Sequence, residues 1–314
     1  MVTWAPSALV NDIGSDGCEA ILASPQNIIL NGSEKRLRCL IAKPRCRSGY
    51  HQSILNFEIN DMAKLTISRD GPVATLTLTR PEKRNALDME MLGMMREFFE
   101  AEPSPEDRVI VVRSEGPVFC AGIDLAERQR QGPLKGESPV VPVFHAMEAH
   151  PLPTVCIVQG AAIAGGCELA LHADFVVASR KARFGMSLAQ IGIAPTWALA
   201  KKLLDVAGPV MTREILLLGD PIAAEKLADL GVIGRVVDAE QLGEEADKVI
   251  ARLAANAPLS LKAIKALINR EMEFREHIEH ADVDALVDIA RASNDAKEGI
   301  AAKLEKRAPN FTGT

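Results

Sequence analysis

The most apolar stretch of the chain, Pro151 to Ala173, sets the first constraint on its fold. It carries Gln159, the pair Gly165-Gly166, Glu168 and His172. Polar and ionisable groups at that density are costly in a bilayer, so the stretch belongs in a protein interior rather than in lipid. Within it, Thr154-Val155-Cys156-Ile157-Val158 reads as a buried strand and Ala164 to His172 as a helix. A strand, a glycine-bearing turn and a helix, all apolar and in succession, predict an α/β core.

The alternation continues on both sides. In Val73-Ala74-Thr75-Leu76-Thr77-Leu78-Thr79, apolar and threonine positions alternate as on a half-buried strand. Asn85 to Glu100 predicts a helix, with Ala86-Leu87-Asp88 at its entrance. Arg108 to Val112 and Asp174 to Ala178 predict two further core strands, and Gln129 to Pro142, with its Gly and Pro residues, a mobile loop. The C-terminal fifth is helical. Leu261, Ile264 and Ile268 keep one stripe, and Val283, Leu286, Val287 and Ala290 follow i, i+3, i+4, i+7. These helices fit two roles, a cover for the core or an oligomer interface.

The first 61 residues read differently. They hold Cys18, Cys39 and Cys46 and no sustained helical or strand period, whereas a clean pattern opens at Met62-Ala63-Lys64-Leu65. The expected organisation is an N-terminal extension over 1–61, a core over 62–260 and a helical oligomerisation region over 261–314. The extension fits a segment upstream of a natural start at Met62, or a disordered or targeting arm. Its six basic and six acidic residues cancel, so the net charge of −6 belongs to the remaining 253 residues. That acidic balance argues against a nucleic-acid partner, and an aromatic content of 4% argues against base-stacking platforms. Six cysteines without a C-x-x-C pair match neither a disulfide scaffold nor a zinc cluster and point to a reducing, cytoplasmic compartment. No basic segment followed by an apolar one opens the chain, and Asp12, Asp16 and Glu19 disfavour a transit peptide.

Two segments carry chemistry. In Gln159-Gly160-Ala161-Ala162-Ile163-Ala164-Gly165-Gly166-Cys167-Glu168, a glycine pair stands at a helix entrance after a core strand. The first amides of a helix have no intrahelical acceptor, and the helix dipole adds positive potential there, which suits a developing oxyanion. The same residues also fit simple close packing, with Glu168 as a first-turn acid complementing the dipole. In Phe119-Cys120-Ala121-Gly122-Ile123-Asp124, a glycine among small residues can present one more amide, or merely turn the chain. Together the two segments supply two donors from separate loops, the minimum for an oxyanion hole.

The order Arg80-Pro81-Glu82-Lys83-Arg84-Asn85-Ala86-Leu87, then Phe119 to Asp124, then Gly165-Gly166-Cys167-Glu168 resembles the enoyl-CoA hydratase/isomerase (crotonase) superfamily. Ala182-Arg183-Phe184-Gly185, Gly219-Asp220-Pro221-Ile222-Ala223-Ala224 and Glu305-Lys306-Arg307-Ala308-Pro309-Asn310-Phe311 extend the resemblance over about Ala63 to Phe311. It implies a crotonase-like α/β fold of repeated β-β-α units with a C-terminal helical trimerisation region, assembled as a homotrimer or homohexamer. The implied substrate is an acyl-CoA thioester, with no metal or redox cofactor, CoA arriving as part of the substrate. The resemblance places the oxyanion amides on Ile123 and Gly165 and the acid/base group on Glu168. It places CoA contacts on Lys83, Arg84 and Ala121, and on Lys306, matched to a lysine that reaches a neighbouring subunit's CoA. Taken singly, each of these basic residues also reads as solvated surface charge.

The chain departs from the family at the second catalytic glutamate of the hydratases. That acid follows Phe184-Gly185 by three residues, where this sequence has Leu188. A leucine neither orients water nor transfers a proton, so the default reaction, hydration of a 2-enoyl-CoA, is expected to be weak or altered. Isomerases that rely on the second acid are resembled less well. Phe184-Gly185-Met186-Ser187-Leu188-Ala189-Gln190-Ile191-Gly192 is similar in part to acyl-CoA decarboxylases, which keep the first acid and lack the second. Decarboxylation of a malonyl-type thioester and acyl-CoA binding without turnover stand as alternatives. Ala194-Pro195-Thr196-Trp197-Ala198-Leu199 replaces a glycine-rich stretch, and Trp197 there either reshapes the acyl pocket or fills the core. Gln190, Thr196, His145 and His150 are the polar groups nearest to compensating for the lost acid.

Overall fold

The computed structural model describes residues 36–41, 53–58, 63–131, 138–275 and 277–314. The chain divides into two units, Met1–Met62 and Ala63–Thr314. In the first, β1 (Arg36–Ile41) pairs antiparallel with β2 (Ser53–Glu58), Arg36 opposite Glu58. The absence of strand period in this stretch misses that ladder, because backbone hydrogen bonds leave no side-chain period unless one face is buried. The rest of 1–61, Met62 with it, lies outside the described residues, as do residues 132–137 of the expected Gln129–Pro142 loop.

The second unit opens with a hairpin, β3 (Leu65–Asp70) and β4 (Val73–Leu78), and then α1 (Met89–Glu100). Three β-β-α units follow. The first is β5 (Val109–Ser114), β6 (Val118–Cys120), α2 (Leu125–Gln131) and α3 (Val140–Ala149). The second is β7 (Thr154–Val158), β8 (Ala161–Ile163) and α4 (Gly165–Leu171). The third is β9 (Phe175–Ser179), β10 (Arg183–Gly185) and α5 (Trp197–Arg213), broken at Gly208. The short β11 (Ile222–Ala223), α6 (Ala224–Asp229) and β12 (Arg235–Val237) precede four helices. These are α7 (Leu242–Ala255), α8 (Pro258–Met272), α9 (Ala281–Ala292) and α10 (Asn294–Glu305).

Each unit gives its first strand to one sheet and its second to another. The six-stranded sheet has the order β12-β9-β7-β5-β4-β3, with only β3 antiparallel to its neighbour. The four-stranded sheet has the order β11-β10-β8-β6, with only β11 antiparallel. Leu76, Leu78, Ile110, Phe119 and Phe184 belong to one core cluster; α7 covers the other face of the large sheet, Leu242, Ala246, Val249 and Leu253 packing on Val109, Val111, Val155 and Val177. Burial on both faces explains why these strands read as continuous apolar runs.

Three boundaries differ from the sequence reading. The helix expected from Asn85 starts at Met89, because Asn85 sits in the left-handed region (φ 53°) and the Asp88 carboxylate caps the first turn, accepting from Met91 N at 3.0 Å. Both ends of the expected Gln129–Pro142 loop are helical, belonging to α2 and α3. The apolar stripes of the last helices face outward in the single chain. Ile264, Ile268, Val283 and Leu286 are exposed, joined by Leu259, Leu267 and Ile289.

What holds α8 down is a buried charge. Lys265, its one buried residue, donates from Nζ to Asp174 Oδ2 at 2.7 Å and to the Leu152 carbonyl at 3.1 Å. The same carboxylate oxygen accepts from Thr154 N at 2.7 Å and Thr154 Oγ1 at 2.9 Å, which ties the helix to the start of β7. Lys265→Met keeps the apolar stem and removes the donors. It is expected to lower the unfolding free energy by about 1.5–3 kcal/mol, seen as a lower urea midpoint at unchanged slope.

Candidate active site

The first oxyanion candidate, Ile123, is held by a lattice that begins at Arg80. Asn85, fully buried, accepts from Arg80 N at 2.9 Å through Oδ1 and donates through Nδ2 to the Glu115 and Val118 carbonyls, both at 2.8 Å. Arg80 Nη1 lies 3.3 Å from Asp88 Oδ2 and 3.0 Å from Asp124 Oδ2. Burial raises the Asp124 carboxyl pKa, but the Glu127 and Ala126 amides and Arg80 outweigh it and hold the group ionised. The loop is then stitched across. Leu87 N donates to Gly122 O at 2.8 Å and Asp124 N to Leu87 O at 2.9 Å, leaving the Ile123 amide between them with no backbone acceptor among the described residues.

The second candidate, Gly165, opens α4. The turn before it is strained: Ala164 adopts φ 50° and ψ −121°, a conformation costing a non-glycine residue about 1–3 kcal/mol. Its amide is pinned to the Gly185 carbonyl at 2.8 Å, and its own carbonyl accepts from Glu168 N at 3.0 Å. The Gly165 amide takes no backbone acceptor among the described residues. The two turns touch. A Cβ on Gly122 (φ +87°) would sit 2.9 Å from the Ile163 carbonyl and 3.0 Å from Gly165 N, and one on Gly166 would sit 2.2 Å from the Cys120 carbonyl. Only glycine fits there, and its absence of a side chain lets the turn bearing Ile123 lie against the first turn of α4.

Ile123, Gly165 and Glu168 line one cavity of about 140 Å³, together with Ala121, Leu188, Ile191 and Arg291. Glu168, 5% exposed, projects from the first turn of α4. Burial pushes its carboxyl up to about 8, against a smaller downward pull from Arg291, so it holds a proton at neutral pH. Among the described lining residues Glu168 is the one acid. Beneath it, His172 is neutral, its pKa lowered to about 4 by burial; its Nδ1–H donates to the Glu168 carbonyl at 2.8 Å and its ring stacks on Phe144. Among the described residues no three His, Cys, Asp or Glu side chains gather as metal ligands, and no helix is long and apolar enough to cross a membrane.

The enoyl-CoA hydratase/isomerase family model matches residues 68–314. The chain belongs to the enoyl-CoA hydratase/isomerase family. It is 32% identical over 256 residues to 2,3-dehydroadipyl-CoA hydratase of Escherichia coli (strain K12), covering 80% of this chain and 100% of that protein. It is 34% identical over 260 residues to 1,2-epoxyphenylacetyl-CoA isomerase of the same organism, covering 77% of this chain and 95% of the relative. Among solved structures, methylmalonyl-CoA decarboxylase in complex with 2-nitronate-propionyl-CoA superposes with a TM-score of 0.74 at 25% identity, covering 81% of this chain and all of that one. An enoyl-CoA hydratase/isomerase from Pseudoalteromonas atlantica T6c gives 0.71 at 30% identity, covering 80% of this chain and 100% of the other. The fold is crotonase-like, with two mixed sheets and C-terminal helices.

The residues matched to the family distribute unevenly. Ala121 lines the cavity, and its amide donates to the Arg84 carbonyl at 3.0 Å; Lys83 and Arg84 themselves are exposed and absent from the cavity lining. Lys306, exposed, terminates α10 in a left-handed cap. Leu188, at the position matched in sequence to the second acid, lines the cavity. Gln190 does not replace it: its amide is spent on the Leu218 carbonyl and Asp220. Thr196 lines the cavity while its hydroxyl caps α5, accepting from Leu199 N. His150 is buried beside Phe99. His145 and Trp197 line a second cavity, of about 420 Å³, where Trp197 stacks on His280; the tryptophan therefore reshapes that space and is absent from the lining of the first. Arg291 went unread, since a cation in the last turn of α9 looks like a complement to the helix dipole.

The proton on Glu168 has a thermodynamic signature. The native state keeps it to about pH 8 while the unfolded chain releases it near 4.5, so stability falls as pH rises through that window and levels off above it. Glu168→Gln is expected to remove this decline, worth on the order of a few kcal/mol, in denaturation curves compared at pH 5 and about pH 9.

Proposed function

We propose that the protein is an acyl-CoA enzyme that stabilises a thioester enolate. The Ile123 and Gly165 amides donate to the thioester oxygen as negative charge develops on it, each good donor lowering the barrier by about 3 kcal/mol. Glu168 gives its proton to, or takes one from, the α-carbon. Lys83, Arg84 and Ala121 hold the CoA moiety, and Lys306 serves a neighbouring subunit's CoA. The single observation that carries the reading is one protonated, buried acid facing the cavity shared by two unspent amides. CoA chemistry of this kind needs only these groups. Three buried free thiols, Cys120, Cys156 and Cys167, are compatible with a reducing cytoplasm.

The leading reaction is hydration of a 2-enoyl-CoA, slower than with two carboxylates because Leu188 offers nothing to orient the attacking water. Loss of CO2 from a malonyl-type thioester is favoured by a different observation, the lone acid held in its proton-donating form. Expulsion of CO2 leaves an enolate in the hole, and Glu168 protonates it. Purified enzyme offered crotonyl-CoA, a 3-enoyl-CoA and methylmalonyl-CoA separates the reactions. Measurable but slow hydration is expected, with Glu168→Gln lowering kcat/KM about 10²–10⁴-fold. Predominant CO2 release establishes decarboxylation instead. Binding without turnover on all three substrates refutes catalysis and leaves an acyl-CoA-binding protein.

We also propose that the chain assembles as a trimer or a pair of trimers through α8 and α9. The support is their exposed apolar surface, Ile264, Ile268, Leu286 and Ile289 among it, larger than isolated apolar residues on a monomer. Light scattering is expected to give three or six times the 33.8 kDa chain mass. Replacing Leu286 and Ile289 by Arg lowers it.

A further inference from the structure

We propose that the acyl group taken by this site ends in a carboxylate, which Arg291 receives at the side of the cavity remote from the oxyanion amides. The inference rests on the acyl-CoA reading above.

The order of groups along the cavity supplies the first argument. Ile123 and Gly165 line only the 140 Å³ cavity, whereas Arg291 and Thr196 line both it and the neighbouring 420 Å³ cavity. A thioester anchored on the two amides therefore extends its chain past Glu168 toward Arg291. The cavity lining is largely aliphatic, with Leu188, Ile191, Ile193 and Leu199 among it. A cation set into such a wall at the end of the chain's path selects for charge rather than for length.

The state of the guanidinium supplies the second. Arg291 is half-buried, and among the described residues its one hydrogen bond runs from Nε to the Ala194 carbonyl at 3.4 Å. No ion pair joins it to a described carboxylate, although Asp284 and Asp288 on its own helix and Glu168 act on it through space. Glu168 keeps its proton at neutral pH and so provides little counter-charge. A guanidinium offers several N–H donors in a planar fork that matches a carboxylate, and most of Arg291's remain unspent. Arg128, on α2, and Lys303, on α10, line the same cavity; burial, and then the charge of Arg291, depress the Arg128 pKa. Cations lining a largely apolar space favour an anion there.

A CoA phosphate would be a second source of negative charge, but Ala121, bonded through its amide to the Arg84 carbonyl, lines the first cavity alone, whereas Arg291 stands on the border with the second. The test compares two saturated thioesters of equal carbon number, adipoyl-CoA and hexanoyl-CoA, by calorimetric titration of the full chain. Neither can be hydrated, so the readout does not depend on turnover. Adipoyl-CoA is expected to bind about tenfold more tightly. Arg291→Gln is expected to collapse that ratio to near one, and Arg291→Lys to retain part of it. Equal affinities in the native protein, or a ratio that survives Arg291→Gln, overturn the proposal. Equal weakening of both ligands in Arg291→Gln overturns it in favour of a phosphate contact. Failure of both thioesters to bind overturns the acyl-CoA reading itself.

Discussion

One close approach governs the rest of the structure: the turn after β6 pressed against the first turn of α4. Gly122 and Gly166 permit it, because a methyl group at either would collide with backbone, at Ile163 and Cys120 respectively. The approach joins two successive β-β-α units at their second strands and brings Ile123 of one and Gly165 of the other to the same cavity. It also fixes Glu168, which stands on the helix that Gly165 begins. The Arg80–Asp88 segment serves this contact. Asn85 binds it to the β5–β6 connection, and Leu87 brackets the Ile123 amide from both sides, so the donor is aimed before any ligand arrives. Preorganisation of this kind is what the proposed oxyanion role requires, since no dipole must reorient as charge develops.

The electrostatics of the site follow from how deeply its acid is buried. Leu188, an aliphatic side chain, lines the same cavity and brings no second charge to it. Desolvation then dominates Glu168, opposed only by the charge of Arg291. Glu168 thus carries its proton in the same cavity that Ile123 and Gly165 line. The molecule bears the cost in stability, through a buried group that resists ionisation and a strained turn at Ala164.

The C-terminal helices do two things with opposite faces. Lys265 roots α8 on Asp174, and Arg291 of α9 reaches the cavity. The faces bearing Ile264, Ile268 and Leu286 point away from the chain's own core. A region that periodicity describes only as amphipathic thus completes the site on one side and offers an apolar surface on the other.

Local sequence by itself determined the elements and their chemistry. Apolar runs marked β5, β7 and β9, because strands buried on both faces favour apolar residues throughout, and the ordered motifs from Arg80 to Glu168 singled out Ile123, Gly165 and Glu168, which share one cavity. The boundary at Asn85 escaped because its side chain is held by the distant Glu115 and Val118 carbonyls, with its backbone in the left-handed region; the ends of the Gln129–Pro142 stretch escaped as well. Trp197 and Arg291 could not be assigned from sequence. One is close to the site in the chain yet lines a different cavity, and the other lies 123 positions beyond Glu168 and shares its cavity. Only the tertiary structure decided these, since a side chain's charge is encoded locally while the solvent it loses and the neighbours it meets depend on how separate elements pack.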